Sequence, residues 1–146
     1  MLNLFKKKPD ERLIQLTKKC LSKVSILDGH RTLNSFGRYE ALICCSFIEM
    51  QTGSYPDSLK SKFLRHLVNI RTDFDITTPS GQMVTFLNSR MQFYFTEINN
   101  VFNSPRYING KIYNAFYESP LSPNPKQSDN LPEVVAFSPY FAELLK

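Results

Sequence analysis

The sequence predicts an all-α fold, a single-domain bundle of about five or six helices. Apolar residues recur every three or four positions over most of the chain, which is the spacing of one helix face. Nine prolines and five glycines separate these stretches, several of them at positions that begin or end helices. A length of 146 residues falls in the common range for one domain with its own core.

The first predicted helix follows Pro9, where Asp10 and Glu11 favour the positive end of a helix dipole. Its apolar stripe has the spacing of a buried face and comprises Leu13, Leu16, Cys20, Val24 and Leu27. The Asp28–Gly29 pair is predicted to end the helix.

The second helix is predicted over residues 39–51, after the Asn34–Ser35 pair, either of which can cap it. Glu40 and Glu49 are its only charged residues, and the rest is apolar on nearly every side. This pattern predicts a buried central helix. A third helix, over residues 57–71, has one apolar face and one charged face, as surface helices do.

The fourth helix is the longest, at about 79–103, and begins at Thr78–Pro79. At 1.5 Å per residue it is about 35 Å long and spans a small domain. We expect the second and fourth helices to form the spine of the bundle.

Residues 106–113 allow two interpretations. Ser104–Pro105 and the spacing of Ile108, Ile112 and Phe116 favour a helix, which we expect. The same stretch is also typical of a β-hairpin, because Asn109–Gly110 favours a type I′ turn and a Tyr and an Ile stand on each side of it.

The remaining chain divides into a proline-rich linker at 119–132 and an apolar segment at 133–146, beyond the helical domain at 1–118. Within the apolar segment we expect residues 134–137 to be extended and a short helix to start at Ser138–Pro139. The candidate partner-binding residues are Val135, Phe137, Tyr140, Phe141, Leu144 and Leu145. The segment can dock on its own domain or on another chain, including a second copy in a homodimer.

The net charge of +5 lies entirely in the first 23 residues, and the rest of the chain is neutral. A nucleic-acid-binding domain needs a basic patch on its folded surface, so nucleic acid and membrane are not the partners that we expect. The alternative is an anionic surface contacted by this basic leader, through Lys6, Lys7, Lys8, Lys18, Lys19 and Lys23.

No sequence motif for catalysis, metal binding or phosphate binding occurs, so we expect no metal and no cofactor. Glu40, Glu97 and His30 are the candidate residues for a ligand pocket between the second and fourth helices, because ionisable groups in apolar surroundings often mark functional sites. The simpler interpretation of Glu40 and Glu97 is a structural one, in which they form ion pairs with nearby helix residues such as Arg90 or Arg38. Three cysteines, an odd number, predict buried free thiols in a reducing cytoplasm.

These observations predict a small, non-enzymatic cytoplasmic protein that binds another protein, in the manner of an immunity, adaptor or chaperone-like factor. The alternatives are binding to an anionic surface and a small-ligand or enzymatic pocket. The Lys- and Asn-rich composition and the opening at residues 4–8 resemble small cytoplasmic proteins of low-GC bacteria, which implies a compartment and no particular activity.

Overall fold

The computed structural model describes residues 10–103, 110–117 and 131–145. All regular structure in these ranges is helical, which confirms the all-α prediction. The elements in chain order are α1 (Glu11–Leu27), α2 (Ser35–Thr52), α3 (Asp57–Asn69), a 3-10 helix (Ile70–Phe74), α4 (Ser80–Asn103), α5 (Gly110–Tyr117) and α6 (Leu131–Leu144).

Helix α2 is the centre of the bundle. It is buried without interruption from Tyr39 to Glu49 and packs against α1, α4, α5 and the 3-10 helix. Burying one large apolar side chain contributes about 1.5–3 kcal/mol, so this helix supplies much of the core. The Tyr39 hydroxyl donates a 2.6 Å hydrogen bond to the carbonyl of Leu67, which joins α2 to the end of α3.

The other long helices pack through one face only. Helix α1 buries four residues of its predicted stripe, Leu16, Cys20, Val24 and Leu27. Helix α4 has the predicted length and packs on α2 and α3, while Val84 and Phe95 on its outer surface are about half exposed. Of the two helices expected to form the spine, α2 is enclosed on all sides and α4 is not.

Two helix boundaries differ from the predictions for local reasons. Helix α2 begins at Ser35, one turn earlier than expected, because the Asn34 side chain caps it by accepting a 2.7 Å hydrogen bond from the Gly37 N–H. Helix α3 ends at Asn69, and the chain tightens into the 3-10 helix. Asp75 terminates that helix in the left-handed conformation, with φ of 61°.

Residues 110–117 form α5, so the second half of the proposed hairpin at 106–113 is helical. Residues 106–109 and the expected start at Ser104–Pro105 lie outside the described residues. Helix α5 packs against α2 and α6 and buries Ile112 and Phe116.

The C-terminal segment is helical throughout its described length, and our expectation of an extended stretch at 134–137 is wrong. Helix α6 begins at Leu131, inside the predicted linker, whose residues 119–130 lie outside the described ranges. Ser138–Pro139 lies within the helix and does not start it. Pro139 leaves the carbonyl of Val135 without its helical donor, and Val135 is 57% exposed, so water can satisfy that carbonyl.

Phe137 anchors α6 to the rest of the molecule. Its ring is fully buried, with ring centroids 5.4 Å from Tyr113 and 5.9 Å from Phe116, both on α5. At the other end of α6, the Lys23 ammonium group donates a 3.4 Å hydrogen bond to the carbonyl of Leu144. A cation at a helix C-terminus is favourable for the helix dipole.

Replacing Gly37 with alanine tests the close approach of α2 and α5. A Cβ atom at Gly37 would lie 2.1 Å from the carbonyl oxygen of Phe116, so the two helices must move apart. We expect Gly37→Ala to lower the free energy of unfolding by about 1–3 kcal/mol, as overpacking does. The control is Gly81→Ala, where a Cβ meets nothing within 4 Å. Equal urea midpoints for the two variants would contradict this contact.

Replacing Phe137 with alanine tests the docking of α6 on its own domain. We expect Phe137→Ala to lower the free energy of unfolding by about 3–5 kcal/mol, because a fully buried ring is lost. The exposed control Val135→Ala should change it by less than about 0.5 kcal/mol. Urea unfolding at several protein concentrations distinguishes docking in cis from exchange between copies, because only exchange makes the midpoint depend on concentration.

Candidate binding groove

An open groove lies between the first half of α1 and the start of α3. Its volume is about 560 Å³, within the range of ligand sites. The lining residues are Glu11, Arg12, Gln15, Leu16, Lys19, Tyr55, Pro56 and Leu59. Leu16 and Leu59 are buried and form an apolar floor, while the charged residues lie at the solvent edge.

Tyr55 forms one wall of the groove and is held there from two sides. Its hydroxyl donates a 2.6 Å hydrogen bond to Oε1 of Glu49, near the end of α2. Its ring lies across Gly53, where a Cβ atom would come within 2.1 Å of Cε2 of the ring. The wall therefore requires both a carboxylate at 49 and the absence of a side chain at 53.

Lys19 completes this polar cluster behind the groove. Its Nζ atom lies 2.8 Å from the same Oε1 of Glu49, so α1, α2 and Tyr55 meet at one oxygen. Burial alone would raise the pKa of Glu49, but the hydrogen bonds from Lys19 and Tyr55 outweigh it and hold the pKa below its ordinary value of 4.5. The hydrogen bond to Glu49 also raises the pKa of Tyr55 to about 12. The tyrosine is thus a neutral donor and is not poised to lose its proton.

The cation at the other end of the groove is also paired within the molecule. Arg12 donates to the carboxylate of Asp10, with Nη2 to Oδ2 at 3.2 Å. This hydrogen bond lowers the pKa of Asp10, which also caps α1 by accepting from the Arg12 backbone N–H. Both basic residues that line the groove therefore have a carboxylate of the same chain as partner.

Glu40, one of the three candidate pocket residues, is fully buried between α2 and α4. Its Oε1 lies 2.6 Å from Nη2 of Arg90 and accepts a 2.7 Å hydrogen bond from the Tyr94 hydroxyl. Burial raises the pKa of Glu40, and Arg90 and Tyr94 oppose that effect. The second carboxyl oxygen, Oε2, has no hydrogen-bond partner among the described residues. The geometry of Glu40 is that of an internal ion pair joining two helices.

Glu97 and His30 have different surroundings. Glu97 is buried on α4, with Oε1 at 3.7 Å from Nζ of Lys111 on α5. His30 lies beyond the end of α1 against aromatic rings of α5 and α6, with ring centroids 5.8 Å from Tyr117 and 5.4 Å from Tyr140. The contacts described for Glu40, Glu97 and His30 involve different partners, and a ligand pocket formed by these three residues stays a prediction.

A depression between α2 and α4 does exist, but none of the three candidate residues lines it. Its volume is about 80 Å³, well below the roughly 300 Å³ at which ligand pockets begin. Its lining comes from later turns of both helices and includes Phe47, Ile48 and Phe95.

The candidate partner-binding residues of α6 lie mainly against the chain's own core. Phe137, Phe141 and Leu144 are fully or almost fully buried, and Tyr140 and Leu145 pack partly buried against the same cluster. Val135 is the exposed member of the set.

The six candidate lysines of the basic leader differ in their surroundings. Lys6, Lys7 and Lys8 lie outside the described residues. Lys18 is exposed on α1, whereas Lys19 binds Glu49 and Lys23 binds the end of α6.

The cysteines are free and buried. Burial raises the pKa of Cys20 to about 11 and raises those of Cys44 and Cys45 further. Reactive thiols have lowered pKa values, so these environments disfavour nucleophilic chemistry. Within the described ranges no three His, Cys, Asp or Glu residues are grouped to hold a metal ion. None of the described helices is both long and apolar enough to cross a membrane.

Comparison with models of protein families, with curated proteins and with solved structures finds no match to this chain. The class of the protein is therefore given by its own fold, an all-α helical bundle.

The groove could not be predicted from the sequence, because the periodicity of a helix does not show how that helix is placed against another one. The groove lies between the first half of α1 and the start of α3, which are some forty residues apart in the chain. The local signal was the stretch from Gly53 to Pro56, which places an aromatic residue, Tyr55, between a glycine and a proline.

The pH dependence of stability tests the polar cluster behind Tyr55. Because the pKa of Glu49 is lowered on folding, its contribution to stability is present above pH 4.5 and is lost as the pH falls through the folded-state value. We expect the difference in unfolding free energy between the wild type and Glu49→Gln to be largest at pH 7 and to shrink towards pH 3, as measured by urea unfolding. Tyr55→Phe, which removes one donor, should reduce this acid-sensitive difference. A difference that stays constant from pH 7 to pH 3 would show that Glu49 is not held ionised.

Proposed function

We propose that this protein acts by binding another protein and that it takes an apolar segment of its partner into the groove between α1 and α3. The observation that carries the proposal is the groove of about 560 Å³ with a buried apolar floor at Leu16 and Leu59 and an aromatic wall at Tyr55. Recognition sites in proteins combine such apolar surface with a few polar groups at the rim.

The shape of the groove favours a polypeptide over a small molecule. Its α1 side runs from Glu11 to Lys19, about 12 Å at the rise of an α-helix. It is open to solvent along this length, whereas small-molecule pockets enclose about 70–90% of their ligand. A chain passing across the surface can fill an open groove without being enclosed.

The state of the described ionisable groups supports binding over catalysis. The thiols are buried with raised pKa values, and the hydroxyl nearest to the groove, that of Tyr55, is committed to Glu49. A nucleophile or general base needs a pKa tuned in the other direction and a free path to substrate. Free buried cysteines also fit our expectation that the protein works in a reducing cytoplasm.

Binding to an anionic surface through the basic leader is a weaker candidate. Two of the three described lysines of that set, Lys19 and Lys23, have partners within the bundle. A lysine that neutralises a carboxylate of its own chain contributes less to a phosphate contact.

Filling the groove tests the proposal. Random 12-residue peptides displayed on phage are selected on the full chain, and the affinities of the enriched peptides are measured by fluorescence anisotropy. Gln15 lies exposed in the groove lining, so we expect Gln15→Trp to occupy the space and to weaken binding at least tenfold. The matched control is Gln92→Trp, at an exposed position on α4 away from the groove, which should leave the affinity unchanged.

The outcomes are distinct. Selected peptides that share apolar residues and lose affinity only in Gln15→Trp support the groove as the binding site. Peptides that bind both variants equally, or a selection that yields no shared pattern, overturn the proposal. Binding that depends on basic peptides or collapses with added salt favours a purely electrostatic surface instead.

A further inference from the structure

We propose that the protein forms a weak symmetric dimer in which the α4 helices of two copies pack antiparallel and the Phe95 ring of each copy sits between α3 and α4 of the other. The proposal goes beyond the proposed function and does not rest on it, because α4 contributes no residue to the groove between α1 and α3. Three features of α4 and its surroundings carry it, namely an exposed apolar stripe, a depression beside that stripe and an outer face without charge.

The stripe runs along the outer side of α4. Four side chains lie on it, at intervals of four, three and four residues, namely Val84, Asn88, Met91 and Phe95. At about 100° and 1.5 Å per residue, they fall within an arc of about 60° and a length of about 16.5 Å. Val84 and Phe95, at the two ends, are 48% and 49% exposed. Apolar side chains that are exposed along one line mark an interaction surface, whereas single ones do not.

A depression of about 220 Å³ lies beside the Val84 end of the stripe. Its lining includes Leu64, Arg65 and Val68 of α3 and Val84 and Leu87 of α4. An apolar cavity of about 150 Å³ holds a benzene ring, so this depression has room for the ring of a phenylalanine. The half-exposed Phe95 lies about 16.5 Å farther along α4 and is too distant to fill the depression of its own copy.

The spacing of the stripe is symmetric, which suits pairing with an identical stripe. The intervals four, three and four read the same in both directions, and their midpoint falls halfway between Asn88 and Met91. A two-fold axis at that point places Phe95 of each copy opposite Val84 of the other, beside the depression. Each copy therefore supplies both a ring and a depression, as a symmetric interface requires. A partner of another sequence would have to reproduce this spacing by chance.

The outer face of α4 also allows two copies to meet without repulsion. The helix has only two charged residues among 24, and both are held inside the bundle, Arg90 by its pairing with Glu40 and Glu97 by burial. Its exposed residues between 80 and 100 are amides, hydroxyls, a glycine and apolar side chains. Like charges that face each other across an interface are costly, and interface cores are depleted in charge. At the rim of the depression, Arg65 can lie over the face of the seated ring, which is favourable for a cation.

Sedimentation velocity of the full chain tests the dimer. One helix and part of α3 from each copy form a small interface, of the class below about 1,200 Å² in which association is weak. We therefore expect the weight-average sedimentation coefficient to rise towards that of a dimer between about 5 and about 500 μM. Phe95→Lys should weaken the association at least tenfold, because it brings a charge to the apolar depression. The matched control is Val135→Lys, at an exposed apolar residue of α6, which should leave the association unchanged.

Cross-linking tests the antiparallel register. Val84→Cys and Phe95→Cys chains are mixed at the highest concentration and oxidised. The antiparallel pair brings two introduced thiols together only in mixed dimers, so we expect a disulfide-linked dimer from the mixture and none from either variant alone. The native cysteines are buried and contribute no background. A parallel pair would instead link each variant to itself.

Several outcomes overturn the proposal. They are a chain that stays monomeric at about 500 μM, a dimer that survives Phe95→Lys, and cross-links that form equally in all three samples. A dimer lost in Val135→Lys and kept in Phe95→Lys would place the contact on α6 instead. None of these outcomes bears on the groove, which Gln15→Trp tests separately. Because this dimer also makes the urea midpoint depend on concentration, exchange of α6 between copies is measured in the Phe95→Lys variant.

Discussion

The enclosure of α2 on all sides is the constraint on which the rest of this structure depends. A helix buried from Tyr39 to Glu49 has no solvent for its two carboxylates, so each one requires a donor from a neighbouring element. Arg90 and Tyr94 of α4 supply them for Glu40, and Lys19 of α1 with Tyr55 supplies them for Glu49. Because the two carboxylates lie nine residues apart, they bind α4 and α1 at opposite ends of the same helix. Apolar packing alone tolerates small shifts of one helix on another, whereas these short hydrogen bonds do not.

The buried ionisable residues and the groove on the surface therefore have different roles in this structure. The two glutamates of α2 join helices through one carboxyl oxygen each, Glu40 to Arg90 and Tyr94 and Glu49 to Lys19 and Tyr55. The groove between α1 and α3 has a simpler composition, with apolar side chains and two basic residues that are already paired with carboxylates of the same chain. Under the proposed function, such a surface would select its partner by shape and by the pattern of apolar residues.

The positions of the helices could be predicted from the sequence better than their packing against one another. The stripe from Leu16 to Leu27 and the uniformly apolar second helix are local patterns, and the structure buries both as expected. The prediction of a helix start at Pro139 is wrong, although proline is common in the first turn of helices. The apolar stripe from Val134 to Leu144 continues across Pro139, and the backbone carbonyl that loses its hydrogen bond belongs to the exposed Val135. Candidate site residues were harder still. The pairing of Glu40 with Arg90 joins residues fifty positions apart, and the groove depends on the angle between two helices, which no periodicity in either one encodes.

The sharing of one Glu49 oxygen by Lys19 and Tyr55 has an evolutionary consequence. Glu49 belongs to the core helix, Gly53 gives the Tyr55 ring its space, and Tyr55 forms one wall of the groove. A change in the groove wall therefore reaches the core as well, because loss of Lys19 or Tyr55 removes a donor from the buried carboxylate of Glu49, and a side chain at 53 displaces the ring of Tyr55. We therefore expect residues 19, 49, 53 and 55 to vary together in evolution, because a substitution at one of them disturbs the contacts of the others.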